Sequence, residues 1–281
     1  MTGLGDSTLR RLQDAAGRPD PPLRYRVEEE IGRGGTGVVY RAWDDVLERF
    51  VAFKVSAGPL DEARTAARLE HPSIVPVHDA GTLPDGRSYY VMKLVDGPRL
   101  DEFALASPTV APKLRAFRKI CDAVEYAHSR GVVHRDIKPR NVMVGRFGEV
   151  FLLDWGAGVM GTPGYMAPEQ TEDSNDPAVD IHALGVMLRN LAGAGGPRPI
   201  LAIAAKAASA APGGRYPSVA ALSEDVDRFL DRLPVSAYRE SIPERARRFC
   251  SRNSVLLLLF AAYVLVRAAL YFLRPAATGF R

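Results

Sequence analysis

Four polar side chains near the middle of the chain have the types that phosphate chemistry requires. Asp136, Lys138 and Asn141 lie in the stretch HRDIKPRN, residues 134–141, and Asp154 follows in FLLDWG. A carboxylate can orient a hydroxyl group, a lysine can offset phosphate charge, and an amide with a carboxylate can hold a metal ion. The set therefore predicts phosphoryl transfer.

The segments on either side of this stretch are predicted to be a helix and a hairpin. Apolar residues recur at helical spacing over residues 112–130, and Gly131 ends the pattern. After Asn141 the chain continues as VMVGRFGEVFLLDWG, which is typical of two short strands joined by a turn. We expect the helix to deliver the polar stretch and the hairpin to present Asp154.

A glycine-rich turn and a lysine come earlier in the chain. The motif G-x-G-x-x-G is formed by Gly32, Gly34 and Gly37. A dinucleotide-binding fold continues from this motif into a helix, whereas residues 38–40 are Val-Val-Tyr and predict a strand. The backbone amides of such a hairpin can lie over phosphate groups. The next strand, VAFK, ends in Lys54.

The order and spacing of these motifs resemble the eukaryotic-type (Hanks-type) protein kinases. Lys138 matches their serine/threonine branch, and strings such as HPSIVPVHDAG and GTPGYMAPEQ resemble the bacterial members. The resemblance covers residues 25–233. It implies an α+β, two-lobed fold, with a β-rich N-lobe over about 24–95 and a helical, abridged C-lobe over about 96–233.

The resemblance implies four catalytic residues. Asp136 orients the substrate hydroxyl and accepts its proton, and Lys138 offsets charge on the transferred phosphoryl group. Lys54 holds the α- and β-phosphates of ATP and is paired with Glu62 on a helix. Only seven residues separate Lys54 from Glu62, so the connecting loop is shorter than the family's.

The resemblance also implies the cofactors and their contacts. Asn141 and Asp154 hold Mg²⁺ or Mn²⁺, and Trp155 replaces the phenylalanine that usually follows the metal-binding aspartate. Met92 takes the gatekeeper position. The implied nucleotide-binding residues are Gly32, Gly34, Gly37, Val39, Ala52, Lys54, Met92, Lys93 and Val95.

Several further residues are expected to support the site rather than to react. By resemblance, Thr162 bonds the catalytic acid and its lysine, and Asp180 bonds the backbone of the catalytic loop. Glu169 and Arg215 form a buried ion pair that ties the activation segment to the C-lobe. Ser218 is expected to be the N-cap of the last helix of the C-lobe.

One departure from the family pattern bears on regulation and activity. Residues 157–160, in the shortened activation segment, contain no hydroxyl group, which suggests an enzyme that is not switched by phosphorylation there. Two alternatives stay open. One is a pseudokinase scaffold that binds nucleotide or a partner without turnover. The other is a small-molecule kinase, against which the GTPGYMAPE segment argues because it resembles the platform for protein substrates.

The composition bears on two further features, a nucleic-acid-binding surface and a disulfide framework. The 281 residues are 47% hydrophobic and 25% charged, with a net charge of +4. This small excess does not indicate a nucleic-acid surface, and two distant cysteines exclude a disulfide framework. Residues 1–23 are predicted to be a disordered leader, 234–253 a basic connector, and 274–281 a short tail.

Residues 254–273 are predicted to form a transmembrane helix. Over 255–273 there is one charge in nineteen residues, Arg267, and a helix of this length spans ~28 Å against a bilayer core of ~30 Å. Arginines before the span predict a single-pass protein of the inner membrane with a cytoplasmic kinase domain. Protein substrates are the expected partners, and a homodimer through the span stays open.

Overall fold

The computed structural model describes residues 20–34, 37–56, 58–155, 161–171 and 175–272. The predictions for most of the leader, for residues 157–160 and for the tail over 274–281 lie outside these residues. The described chain forms a sheet-containing N-terminal lobe followed by a helical C-terminal lobe, as the sequence predicts.

The N-terminal lobe is built on one antiparallel sheet of five strands with the order β1-β2-β3-β5-β4. The strands are β1 (Tyr25–Gly34), β2 (Gly37–Asp44), β3 (Arg49–Ser56), β4 (Val77–Thr82) and β5 (Ser88–Lys93). Gly37 has φ +148°, and a Cβ atom there would lie 2.1 Å from the carbonyl oxygen of Val55. Only glycine fits this position, because a side chain would collide with the Val55 backbone.

Helices make up most of the C-terminal lobe. The first helix in the described residues, α1 (Asp61–Ala67), still belongs to the N-terminal lobe. The helices that follow are α2 (Leu100–Ala106), α3 (Val110–Ser129), α4 (Ala178–Ala192), α5 (Arg198–Ala207) and α6 (Val219–Leu230). The predicted helix over 112–130 is α3, whose apolar stripe is fully buried at Leu114, Phe117 and Ile120. Cys121 on the same stripe is also buried, as expected.

The predicted hairpin that presents Asp154 is present. Strands β6 (Val142–Val144) and β7 (Val150–Leu152) are antiparallel, and a short 3-10 helix over Pro139–Asn141 connects β6 to the polar residues 134–138. Asp154 follows β7 with φ +60°, in the left-handed region that non-glycine residues rarely adopt.

Ser218 caps α6 as predicted, since its Oγ accepts a hydrogen bond from the Ala221 N–H at 3.1 Å. We expect Ser218→Ala to lower the free energy of unfolding by about 1 kcal/mol, because the N–H loses its partner. Urea denaturation of the full chain in detergent measures this change. Ser218→Asn retains a capping oxygen and should keep nearly all of the stability; an equal loss in both variants contradicts the capping role.

The connector over 234–253 contains a helix that the sequence analysis did not predict. This helix, α7 (Ile242–Arg252), begins with a capping box in which the Glu244 carboxylate accepts from the Ser241 backbone N–H at 2.8 Å. The pattern Ser-x-x-Glu with an early proline is a helix-start signal. The segment's high charge is typical of a solvated loop, so its composition alone does not predict this helix.

The last helix that the structure describes, α8 (Ser254–Phe272), follows α7 after one residue. Its apolar side chains are exposed, among them Leu258 at 70% and Leu265 at 70%. Among the described helices, none alone is long and apolar enough to cross a bilayer, although α7 and α8, bent by 82°, meet that criterion as a pair. The spanning helix over 254–273 therefore stays a prediction.

Candidate active site

Lys54 joins the two lobes at the back of the cleft between them. Its ammonium donates to Glu62 Oε1 at 2.6 Å and to Asp154 Oδ1 at 2.9 Å. The predicted pair thus forms despite the short connection, because Glu62 lies in the first turn of α1. Tyr90, which the sequence analysis did not single out, donates its hydroxyl to the same Glu62 oxygen at 2.7 Å.

Charge keeps the Lys54 ammonium and the Asp154 carboxylate ionised, whereas burial raises the pKa of Glu62. Burial lowers the pKa of Lys54, but the carboxylates of Asp154 and Glu62 raise it by more, so the net shift is upward. Burial raises the pKa of Asp154, and the Lys54 ammonium lowers it by more, so the net shift is downward. An ammonium and a carboxylate therefore face each other at neutral pH.

Asp136 is held by the two residues that the resemblance implied. Lys138 Nζ donates to Asp136 Oδ2 at 2.6 Å, and the Thr162 hydroxyl donates to Oδ1 at 2.7 Å. Lys138 also donates to the Thr162 oxygen at 2.6 Å, which closes a triangle of three side chains. Burial raises the pKa of Asp136, but Lys138 and Thr162 lower it by more, so this carboxylate is ionised at neutral pH.

Asp180 fixes the backbone that carries this carboxylate. Its side chain is fully buried at the start of α4 and accepts from the N–H groups of His134 and Arg135, each at 2.8 Å. His128 on α3 contacts the same carboxylate through Nε2 at 2.8 Å. Arg135 has φ +69°, so these bonds hold the loop in a conformation that its sequence alone does not favour.

Asn141 and Asp154 carry the oxygen atoms suited to a divalent cation. The Asn141 amide nitrogen donates to the Asp136 backbone carbonyl at 2.8 Å, so the amide oxygen is the atom available to a ligand. Asp154 uses Oδ1 for Lys54 and can offer Oδ2. Hard cations such as Mg²⁺ prefer such oxygens and share them with substrate phosphates. In the described part of the chain, no cluster of three or more His, Cys, Asp or Glu residues forms a separate metal site.

A cleft of about 730 Å³ lies between the lobes, within the size range of small-ligand pockets. Its lining includes six predicted nucleotide-binding residues, namely Gly32, Val39, Ala52, Met92, Lys93 and Val95, and also Asp154. The other three predicted residues, Gly34, Gly37 and Lys54, are not among the described residues that line it. The two glycines lie where β1 and β2 meet, and the Lys54 ammonium binds Glu62 and Asp154. Phe50, Arg99 and Glu102 line the cleft but were not predicted.

Lys93 and the substituted residue Trp155 both have defined contacts in the structure. The Lys93 ammonium lies 4.3 Å from the centre of the Phe151 ring, a cation–π contact that gives this charge a partner in the C-terminal lobe. Trp155 is fully buried, its indole N–H donates to the Leu152 carbonyl at 3.2 Å, and its ring lies against His134. Trp155 thus anchors the segment after Asp154.

Known proteins are similar to this chain in both sequence and fold. Residues 25–199 match the family model of the protein kinase domain. The chain is 32% identical to the serine/threonine-protein kinase PknD of Chlamydia felis, over 89% of this chain and 36% of that protein. It is 36% identical to the serine/threonine-protein kinase PknE of Mycobacterium tuberculosis, over 58% of this chain and 34% of that protein.

The chain therefore spans about a third of the length of these curated relatives. Among solved structures, it is similar to the kinase domain of PknI from Mycobacterium tuberculosis. The TM-score is 0.60 at 27% sequence identity, over 73% of this chain and 96% of that chain.

Proposed function

The chain belongs to the protein kinase family, and we propose that it transfers the γ-phosphate of ATP to serine and threonine hydroxyls of proteins. The observation that carries this proposal is the ionised Asp136 carboxylate, held by Lys138 and Thr162 in the lobe that faces the Lys54 junction. The serine/threonine choice is supported by Lys138 and by the names of the similar proteins.

The polar side chains of the site have separate roles in phosphoryl transfer. Asp136 accepts the proton of the attacking hydroxyl while the new oxygen–phosphorus bond forms and ADP leaves with the electrons of the broken bond. Lys138 offsets charge on the moving phosphoryl group, and Lys54 holds the nucleotide phosphates. Mg²⁺ held by Asn141 and Asp154 would neutralise phosphate charge.

We also propose the domain arrangement that the sequence predicts. Residues 24–233 form the kinase domain, 234–253 connect it, and 254–273 anchor it as a single span with the kinase domain on the cytoplasmic side. The exposed apolar surface of α8 supports the anchor, because water-exposed leucines at this density are costly. The arginines before the span support the orientation.

Phosphate transfer by the full chain in nanodiscs tests this function. We expect labelled Mg-ATP to label the chain itself or a generic basic protein substrate. Lys54→Ala should lower the rate about 10²–10³-fold, the usual effect of removing one electrostatic contact to the reacting group. No transfer by the unaltered chain, with ATP binding retained in a thermal-shift assay, would instead support the scaffold alternative.

A further inference from the structure

Among the described residues, helix α7 is held through one face. That face contacts the kinase domain at Arg198 and Arg232 and the connector at Tyr238 and Glu240. Its contacts with the preceding segments are made by Glu244 with Tyr238 at 2.9 Å, Arg248 with Glu240 at 2.8 Å, and Ser251 with Arg232 at 3.0 Å. With 3.6 residues per turn, these three helix positions lie within about 60° of one another around the axis. The opposite face of α7 consequently points away from the kinase domain.

That opposite face is apolar and exposed. Ile242 is 85% exposed and Phe249 is 60% exposed, and Ala246 and Cys250 beside them are exposed as well. These four residues lie within about 100° of one another around the helix. An apolar stripe of this width normally faces a protein core, another molecule or a lipid surface.

Basic side chains lie along both edges of this stripe. Arg245 borders one edge and Arg247 the other, and both are exposed. Within the described part of the chain, the ion pairs of α7 involve Glu244 and Arg248, and neither Arg245 nor Arg247 takes part in one. Two positive charges are therefore available at the margins of an apolar face, which is the pattern of helices that lie in a membrane interface.

The bend between α7 and α8 would place this apolar face at the membrane surface. The two helices meet at 82° and are separated by one residue. If α8 crosses the bilayer, α7 must run nearly parallel to the membrane surface and start at its cytoplasmic boundary. That boundary carries anionic headgroups, which attract lysine and arginine.

We propose that the face of α7 formed by Ile242, Ala246, Phe249 and Cys250 inserts among anionic phospholipids, with Arg245 and Arg247 binding their headgroups. This inference rests on the membrane anchor proposed above and adds a lipid preference to it. Because the other face of α7 is fastened to the kinase domain, lipid binding would hold that domain in a defined orientation on the membrane. A second copy fits the face less well, since antiparallel or parallel pairing of α7 brings arginines of both copies together.

Cys250 provides an attachment site for a fluorescent probe on the apolar face of α7. It is exposed on the apolar face, whereas Cys121 is buried and burial raises the pKa of its thiol well above the usual range. A thiol-reactive fluorophore therefore labels Cys250 selectively. The labelled full chain is reconstituted in bilayers that contain phosphatidylcholine with a nitroxide near the headgroup end of its acyl chain, with or without an equal part of phosphatidylglycerol.

We expect the nitroxide to quench the label at Cys250 in anionic bilayers, and quenching to fall in zwitterionic bilayers or in high salt. Arg245→Gln and Arg247→Gln should each weaken the association on the order of fivefold. The matched control moves the label by one residue, to Ser251→Cys in a Cys250→Ser background. This position lies on the face toward the kinase domain and should be quenched much less.

A third label, at Tyr263→Cys in the Cys250→Ser background, reports on the anchor itself. Tyr263 lies in the middle of α8 and would therefore lie near the bilayer centre, so this label is measured with the nitroxide at the methyl end of the acyl chain. Quenching at position 263 without quenching at position 250 would overturn the lipid-binding face and leave the anchor intact. Quenching at neither position would overturn the anchor, and the inference with it. Concentration-dependent self-quenching at position 250 without lipid quenching would assign the face to a second copy and overturn the proposal.

Discussion

Replacing Asp136 with asparagine is expected to lower kcat for phosphate transfer about 10²–10⁴-fold, the range that general-base catalysis contributes. Asparagine has nearly the same shape and can still accept a hydrogen bond from Thr162, but its amide cannot take up the proton of the hydroxyl. The KM for ATP should change little, because Asp136 lies with Lys138 and Thr162 rather than among the residues that line the nucleotide cleft. Steady-state transfer to a protein substrate measures both quantities.

The control for this variant is Asp231→Asn, which removes an exposed carboxylate at the end of α6. It alters net charge by the same amount and should leave kcat unchanged. Thermal unfolding separates a catalytic loss from a folding defect. An Asp136→Asn protein that folds normally and keeps its kcat would show that this carboxylate does not assist the hydroxyl, and the proposed mechanism would fail.

The residues that make the principal contacts of the site could be predicted, because the spacing of the motifs identifies them. The stretch from Asp136 to Asn141 and the later Asp154 needed only the resemblance, and the structure brings Lys54, Glu62 and Asp154 into contact. Tyr90 could not be found in this way. It contacts Glu62 because β3 and β5 pair with Lys54 opposite Tyr90, and strand register depends on contacts between segments that are distant in sequence.

The connector over 234–253 presents the opposite case. It contains a local helix-start signal, but its high arginine content is typical of a loop. Residues 242–252 are rich in arginine, and a polar segment is readily taken for a loop. The capping box of Ser241 and Glu244 nevertheless starts a helix there. The apolar face emerges only when the segment is placed on a helix, since Ile242, Ala246 and Phe249 are not adjacent in sequence.

Arg215 is the residue whose loss should cost the most stability. Its side chain is fully buried, and its guanidinium binds both oxygens of Glu169 at 2.5 and 2.8 Å. It also donates to the backbone carbonyls of Ser209, Ala178 and Ala210. Five hydrogen bonds from one side chain therefore connect the segment after Thr162 to the start of α4 and to the loop after α5.

We expect Arg215→Leu to lower the free energy of unfolding by about 3–5 kcal/mol, because the partly exposed Glu169 carboxylate and three backbone carbonyls lose a fully buried partner. For a domain of this size, that change lowers Tm by roughly 6–20 °C. Arg215→Lys keeps the charge but not the planar fork, so it should recover only part of the loss. The measurement is calorimetric unfolding of the full chain in detergent.

Arg228 offers the matched comparison. It forms an ion pair of similar length with Glu224, at 2.8 Å, but both side chains are exposed. Water and salt screen such a pair, so Arg228→Leu should change the free energy of unfolding by no more than about 0.5 kcal/mol. Equal losses at Arg215 and Arg228 would mean that burial of the Arg215 side chain adds nothing. A large loss at Arg215 alone would show that its contacts with Glu169 and the backbone carbonyls stabilise the C-terminal lobe.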